Sequence, residues 1–288
     1  MIACALTVVV IHRATSTARR GAGLAAFFSA SVGRLIAHLL LVLVLSMICL
    51  AIPAFAARAV AVEHERGGLL GLQMTRLRPS ALALAKISGV FLQAMQFLVV
   101  AAPFLALGHL LGGVRPFELY RSAFVIALFS LALSALCVAV SARVASPASA
   151  LFGGYAIVAS LVVGTIAVFA LQGAISRSDD LSHLNHAVLV ANPFMGVADA
   201  AAGRTGGDER FPSPFTPFHA MIGDRTTLID QIQLLSGDGF ARPQLNGRIP
   251  FRRSTRVWRQ SSEVALALAV VGALLATRWL RFPARTRR

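Results

Sequence analysis

The stretch Glu63–Lys86, EHERGGLLGLQMTRLRPSALALAK, decides how the chain must be read. It is short, charged and rich in glycine, and it lies between two long apolar runs, Leu35–Ala57 upstream and Ile87–Leu111 downstream. A helix that crosses a bilayer needs about 20 mostly apolar residues, and both runs are long enough. A segment joining two such helices sits at a membrane surface. Between Arg58 and Lys86 it carries five basic residues, Arg58, Arg66, Arg76, Arg78 and Lys86. The positive-inside bias then puts this surface on the cytoplasmic side.

The composition agrees with that reading. The chain has 288 residues, 57% of them hydrophobic and 14% charged, against about 25% charged for a soluble domain. The net charge is +15, and Lys86 is the only lysine among 27 basic residues. Such a charge in a soluble protein would point to nucleic acid. Here the arginines cluster at the ends of apolar runs, where they set topology and meet anionic headgroups, so no nucleic-acid partner is expected. Cys4, Cys49 and Cys137 lie within apolar runs, lack metal-type spacing and read as small apolar side chains.

Glu63-His64-Glu65-Arg66-Gly67, the leucine-rich turns after it, Thr75-Arg76-Leu77-Arg78 and Lys86 resemble the signature of ABC-2 type transporter permeases. That signature runs acidic-basic-acidic-x-Gly-Thr, a leucine-rich helix, Thr-Pro-Leu-Ser and a Gly-Lys opening the next span. Gly68 stands where the family has Thr, and Arg76 where it has Pro. The resemblance continues through Pro103 and Leu111-Gly112-Gly113-Val114, and more loosely over most of the chain.

Along the chain, Met1–Ile11 is apolar but half a span long and lacks the basic start of a signal peptide. Two readings fit, the stub of a first span or a short re-entrant or tilted segment; the resembling family has a full first span there, which favours the stub, with Thr15–Gly33 a polar loop. In Leu35–Ala57, Pro53 is expected to kink the helix near its cytoplasmic end, and His38, near the opposite end, to contact headgroups. Ala59–Met74 reads as an amphipathic helix with Glu63, Glu65 and Arg66 early in it and Leu69, Leu70, Leu72 and Met74 later. Ile87–Leu111 carries Gln93 and Gln96 on one face. Lipid would not solvate those amides, so both are expected to turn into the bundle interior or a cavity. Ser122–Ser141, Ala150–Leu171 and Val264–Leu280 follow as further spans, the last flanked by Trp258 and Trp279 as interfacial anchors. The long polar stretch from Gln172 to Gln260 is interrupted by an apolar island, Ala187–Ala198, around Asn192-Pro193-Phe194. This resembles the short re-entrant helix of the family. Leu228–Leu235 reads as a further short helix.

The expected fold is therefore all-α: one permease domain over 1–288 with about six transmembrane helices. The first is truncated, and a cytoplasmic coupling helix lies between the second and third. Four spans separate the connector from the arginine-rich tail, so both face the cytoplasm and the 172–260 loop faces out. Arg13, Arg19, Arg20 and Arg34 on the outer side run against the charge rule.

No GxxxxGK[ST] phosphate loop, nucleophile elbow or HExxH motif occurs. The resemblance implies a non-enzymatic subunit of a bacterial inner-membrane exporter. It would bind no cofactor itself; ATP and Mg2+ would be held by a separate ATP-binding subunit, and a second permease chain would complete the pathway. The expected coupling residues are Glu63, Glu65, Gly67, Leu69, Leu70 and Lys86, with the connector docking helix-in-groove on the ATPase. Gln93 and Gln96 are the pathway candidates. Two other classes compete. A membrane-embedded enzyme would use His183 and His186 with Asp179 and Asp180. An ion-coupled carrier would want acidic residues at mid-membrane, which the apolar runs lack.

Overall fold

The computed structural model describes residues 22–65, 78–111, 114–144, 146–175, 187–201 and 257–281. These are helical, with no strand among them. In chain order they form α1 (Ala22–Ala56), α2 (Val62–Glu65), α3 (Pro79–Leu110), α4 (Pro116–Arg143), α5 (Pro147–Ala159), α6 (Thr165–Ile175), α7 (Ala187–Val190), α8 (Pro193–Ala201) and α9 (Val257–Arg281). A π-helical turn at Ala57–Ala61 carries α1 into α2, and another at Ser160–Gly164 carries α5 into α6. Among the described residues five helical stretches are long and apolar enough to cross a membrane: Val32–Ala61, Pro79–Leu110, Pro116–Arg143, Pro147–Gln172 and Val257–Leu280. Met1–Ile11, which the sequence marks as a truncated first span, lies outside the described residues, as does Leu228–Leu235.

The helix starts are written in the sequence. Pro79, Pro116 and Pro147 each stand in the first turn of α3, α4 and α5, where the missing N–H costs nothing and the fixed φ already suits a helix. Ser146 caps α5 by accepting the Ser149 N–H at 3.3 Å. At the head of α4 the Glu118 carboxylate accepts the Arg115 N–H at 3.2 Å.

One expectation fails at the start. Residues 22–33 are helical rather than part of a polar loop. Their alanines, leucine and phenylalanines sustain helix, and Gly33 serves a close packing contact instead of a break. His38 consequently sits well inside α1 and is buried at 5% exposure, not at a headgroup-level end.

Helix α4 is the axis of the bundle, with 61% of its most apolar stretch buried, against 11% for Pro147–Gln172. It lies alongside α9 in parallel: Arg121 stacks on Trp258, Gly272 abuts Ala135 and Leu136, and Arg143 stacks on Trp279. The two backbones approach so closely because the seam is made of small side chains. A methyl on Gly272 would lie 2.8 Å from the Ala135 carbonyl carbon and the Leu136 nitrogen; Ala265, Ala269 and Ala276 on α9 are buried, as are Ala132 and Ala139 on α4. Between lipid-embedded helices there is no hydrophobic drive, so dispersion across such close contacts holds them. The α4 serines at this depth satisfy themselves: Ser130 donates to the Ile126 carbonyl and Ser134 to the Ser130 carbonyl, both at 2.7 Å. The antiparallel crossing of α1 and α3 uses the same device, with Gly108 set against Ala37 and the Gly33 carbonyl.

This packing fixes the two ends of the bundle. The Ala57–Ala61 turn, the starts of α3 and α5 and the C-terminal end of α9 lie at one end. The α3–α4 turn, the C-terminal end of α8 and the start of α9 lie at the other. Parallel α4 and α9 also mean that α7 and α8 do not cross the bundle. Their junction at Asn192 meets the second π turn and the C-terminal end of α8 lies at the far end, the arrangement of a re-entrant hairpin.

Gly272→Ala should force α4 and α9 apart at about 1–3 kcal/mol, lowering the unfolding midpoint of the detergent-solubilised protein by several degrees. Gly164→Ala, whose added methyl would meet only ordinary contacts of 3.7–3.9 Å, should leave the midpoint unchanged or raise it through helix propensity. Thermal unfolding of both variants checks the pair.

Candidate functional site

Three of the expected coupling residues, Glu63, Glu65 and Lys86, are described and fall at the connector end. Helix α1 does not stop at its C-terminus but continues through the π turn into α2, which carries Glu63. A π turn leaves a backbone N–H out of register. Here the Ala61 N–H donates to the Ser141 hydroxyl at 3.2 Å, tying the turn to the last turn of α4. From α2 the Glu63 carboxylate reaches across to Lys86 in the second turn of α3, and Nζ forms an ion pair with Oε1. Two residues 23 positions apart, both singled out from sequence, are thus brought together. Each side chain is partly exposed, 38% for Glu63 and 21% for Lys86. The second carboxylate oxygen, Oε2, is buried without a donor among the described residues. The pair closes the base of the connector, so that α1 and α3 leave it as one unit. Lys86 is therefore engaged in an ion pair rather than free at a headgroup. Glu65 ends the described part of α2, while Gly67, Leu69 and Leu70 lie outside the described residues.

Above this base, Pro53 interrupts the hydrogen-bond ladder of α1. The Tyr155 hydroxyl of α5 donates to the Leu50 carbonyl at 3.1 Å, one turn before the proline. Gly154 makes the approach possible, since a methyl there would lie 2.9 Å from the Pro53 Cβ.

A second polar constellation lies at the far end, and sequence reading did not assign it. Asn192, fully buried at the tip of the re-entrant hairpin, donates through Nδ2 to the Val162 carbonyl at 3.0 Å and to the Thr165 hydroxyl at 2.9 Å. Val162 belongs to the second π turn, where a carbonyl is left over. The same Asn192 accepts the Phe194 N–H at 2.9 Å through Oδ1, so it also caps α8. At the outer end of α8, Arg121 of α4 donates from Nε to the Ala200 carbonyl at 2.8 Å and from a terminal nitrogen to the Asp199 carbonyl at 3.3 Å. Its guanidinium lies between the rings of Phe117 and Trp258, at 5.9 and 5.4 Å. Asp199 in turn accepts the Trp258 N–H at 2.8 Å, capping α9. A cation at a helix C-terminus and a carboxylate at a helix N-terminus both match the helix dipoles. The hairpin is thus pinned at its tip to α5–α6 and at its mouth to α4 and α9. Asn-Pro within an apolar run marks the hairpin in the sequence; nothing in the sequence shows that its partner is a π turn.

Gln93 and Gln96 do not enter the bundle interior, one of the two places expected for them. Both are exposed on the outer face of α3 rather than turned into the bundle, because the opposite face, with Ile87, Val90, Ala94 and Ala101, packs on α1 and its neighbours. Among the described residues no three His, Cys, Asp or Glu side chains gather as a metal site. Asp179, Asp180, His183 and His186 lie outside those residues.

The chain matches no protein-family model, no curated protein and no solved structure.

Asn192→Ala should destabilise the protein, and a double-mutant cycle with Thr165→Val should return a coupling of about 0.6–1.7 kcal/mol, the range for hydrogen bonds between membrane helices. Lys86→Met should change the unfolding midpoint little, since a partly exposed ion pair is worth about 0–1 kcal/mol. Thermal unfolding of the four variants measures both.

Proposed function

We propose that the chain is the membrane-spanning permease subunit of an ABC-2 type exporter. Its connector, 58–80, faces the cytoplasm and docks on a separate ATP-binding subunit. The Glu63–Lys86 ion pair carries this reading. It places two signature residues at the base of the connector, where α1 and α3 diverge, so a force on the segment between them reaches both helices together. Ser141 extends the same linkage to α4, the axis of the bundle. The shared end of the connector and of the last helix supports a cytoplasmic tail, because four spans lie between them.

In this mechanism the chain hydrolyses nothing. Glu65 and the leucines Leu69 and Leu70 meet the ATPase, while Glu63 and Lys86 hold the connector to its two helices. Closure of paired ATP-binding subunits, which hold the ATP and Mg2+, tilts α1 and α3 against α4. Two permease chains frame the pathway in a bacterial inner membrane. The re-entrant hairpin, held by Asn192 and Arg121, lines the outer end of each half. Neither the carrier nor the enzyme reading gains an observation: the acidic side chains of the described spans, Glu118 and Glu263, lie near helix ends.

The test is ATP hydrolysis by the reconstituted complex of this chain with the proposed ATP-binding subunit. Lys86→Met should leave co-purification intact yet lower transport-linked ATPase stimulation at least several-fold, and Glu63→Gln should do the same. Leu69→Asp/Leu70→Asp should abolish co-purification. If no ATPase associates with the wild-type chain, the reading fails.

A further inference from the structure

Both π turns described above have a polar partner inside the chain, Ser141 for the first and Asn192 for the second. The outer face of α3 is different. Ala85, Gly89, Gln93, Gln96, Val100 and Pro103 recur at steps of three and four residues, so they share one face, and all six are exposed. Neither glutamine has a hydrogen-bond partner among the described residues. Pro103 has no N–H to give the Val99 carbonyl one turn below it, and Val99 is itself 70% exposed. Two amides and a freed carbonyl thus stand within about three turns on a helix whose surroundings would be hydrocarbon. There each unsatisfied polar group is costly.

We infer that this face of α3 packs against the α3 of a second copy of the same chain, with the glutamine amides hydrogen-bonded across a two-fold axis along the membrane normal. Two copies inserted with the same topology present parallel α3 helices, so residues of equal number meet at equal depth. An amide is both donor and acceptor, and therefore complements its own symmetry mate. Gln93 pairs with Gln93 of the second copy, and Gln96 pairs with its counterpart or reaches the Val99 carbonyl. Toward the connector, Gly89 has open space around its missing side chain, and with Ala85 it forms a small-xxx-small step that lets two backbones close. The contact is isologous, as a two-fold interface requires. It deepens the two-chain reading above by naming the face, but it needs only that α3 crosses the membrane. It also assigns the amides to a dry seam rather than to a wet pathway, and sets the two connectors side by side.

The experiment uses the full chain in its native membrane. Cys4, Cys49 and Cys137 are replaced by Ser or Ala, and two differently tagged copies are expressed together. Oxidative cross-linking of Gln93→Cys and of Gln96→Cys should yield a species of twice 30.4 kDa carrying both tags. Phe152→Cys on α5 and Leu274→Cys on α9, which are 77% and 63% exposed, should stay monomeric. With Gly89→Cys as reporter, Gln93→Leu/Gln96→Leu should lower the cross-linked fraction at least fivefold. The inference is overturned by monomer alone at positions 93 and 96, or by a cross-linked product carrying one tag and a foreign mass. Labelling of Gln93→Cys by a membrane-impermeant maleimide would overturn it in favour of a wet pathway. With Cys4 restored, an intrachain cross-link to Gln93→Cys would instead put the N-terminal segment on this face. Unchanged cross-linking in the double leucine variant would likewise remove the amides from the interface. No ATP-binding subunit enters this readout, so its outcome is independent of the coupling test.

Discussion

A chain that crosses lipid cannot leave its backbone polar groups to water, and this constraint organises the structure. Straight helices meet it automatically. Departures from straight helix do not, and this chain departs repeatedly: a proline within α1, two π turns, and a hairpin that turns around inside the bundle. At both π turns a particular side chain takes up a backbone group, and beside the proline Tyr155 adds a bond to the Leu50 carbonyl. The serine, asparagine and tyrosine concerned come from other parts of the chain, 80, 30 and 105 residues away. Some of the polar side chains of this apolar protein therefore fasten its irregular backbone.

The fasteners fall into two groups joined by one rod. At the connector end, Ser141 and the Glu63–Lys86 pair bind the turn, the start of α3 and the last turn of α4. At the far end, Arg121 and Asp199 bind the first turns of α4 and α9 to the re-entrant hairpin. Arg121 and Ser141 are on the same helix, 20 residues apart, or about 30 Å at the rise of an α-helix. A rotation or tilt of α4 imposed at the connector is thereby presented to the hairpin without a flexible element between. The glycine and alanine seam with α9 keeps that rod from bending independently of its parallel neighbour. The exporter mechanics proposed above would require such stiffness between the connector end and the far end.

Much of the architecture is legible in the sequence because its causes are local. Apolar runs longer than a bilayer is thick announce spans, the three prolines announce helix starts, and the Asn-Pro in an apolar island announces the hairpin. The charge-rich segment between two spans announces a connector. The resemblance to ABC-2 permeases rests on that same segment, and Glu63 and Lys86 follow from it. The failures also have a cause. Helix in residues 22–33 is hidden by Gly33, whose role is to admit Gly108 and not to break the chain. The outward turn of Gln93 and Gln96 is hidden because periodicity shows that two residues share a face without showing which face packs.

The sequence by itself determined which segments are apolar, where helices begin and which residues lie on common faces, because these depend on neighbours a few positions away. Tertiary structure alone decided what those faces meet. That Lys86 pairs with Glu63, that Asn192 answers a π turn 30 residues upstream, and that α9 runs parallel to α4 along a seam of small side chains are all relations between distant segments. They are set by which backbones can approach closely and which freed donors and acceptors must be satisfied once water is gone. Such choices are made by the bundle as a whole, and no local pattern encodes them.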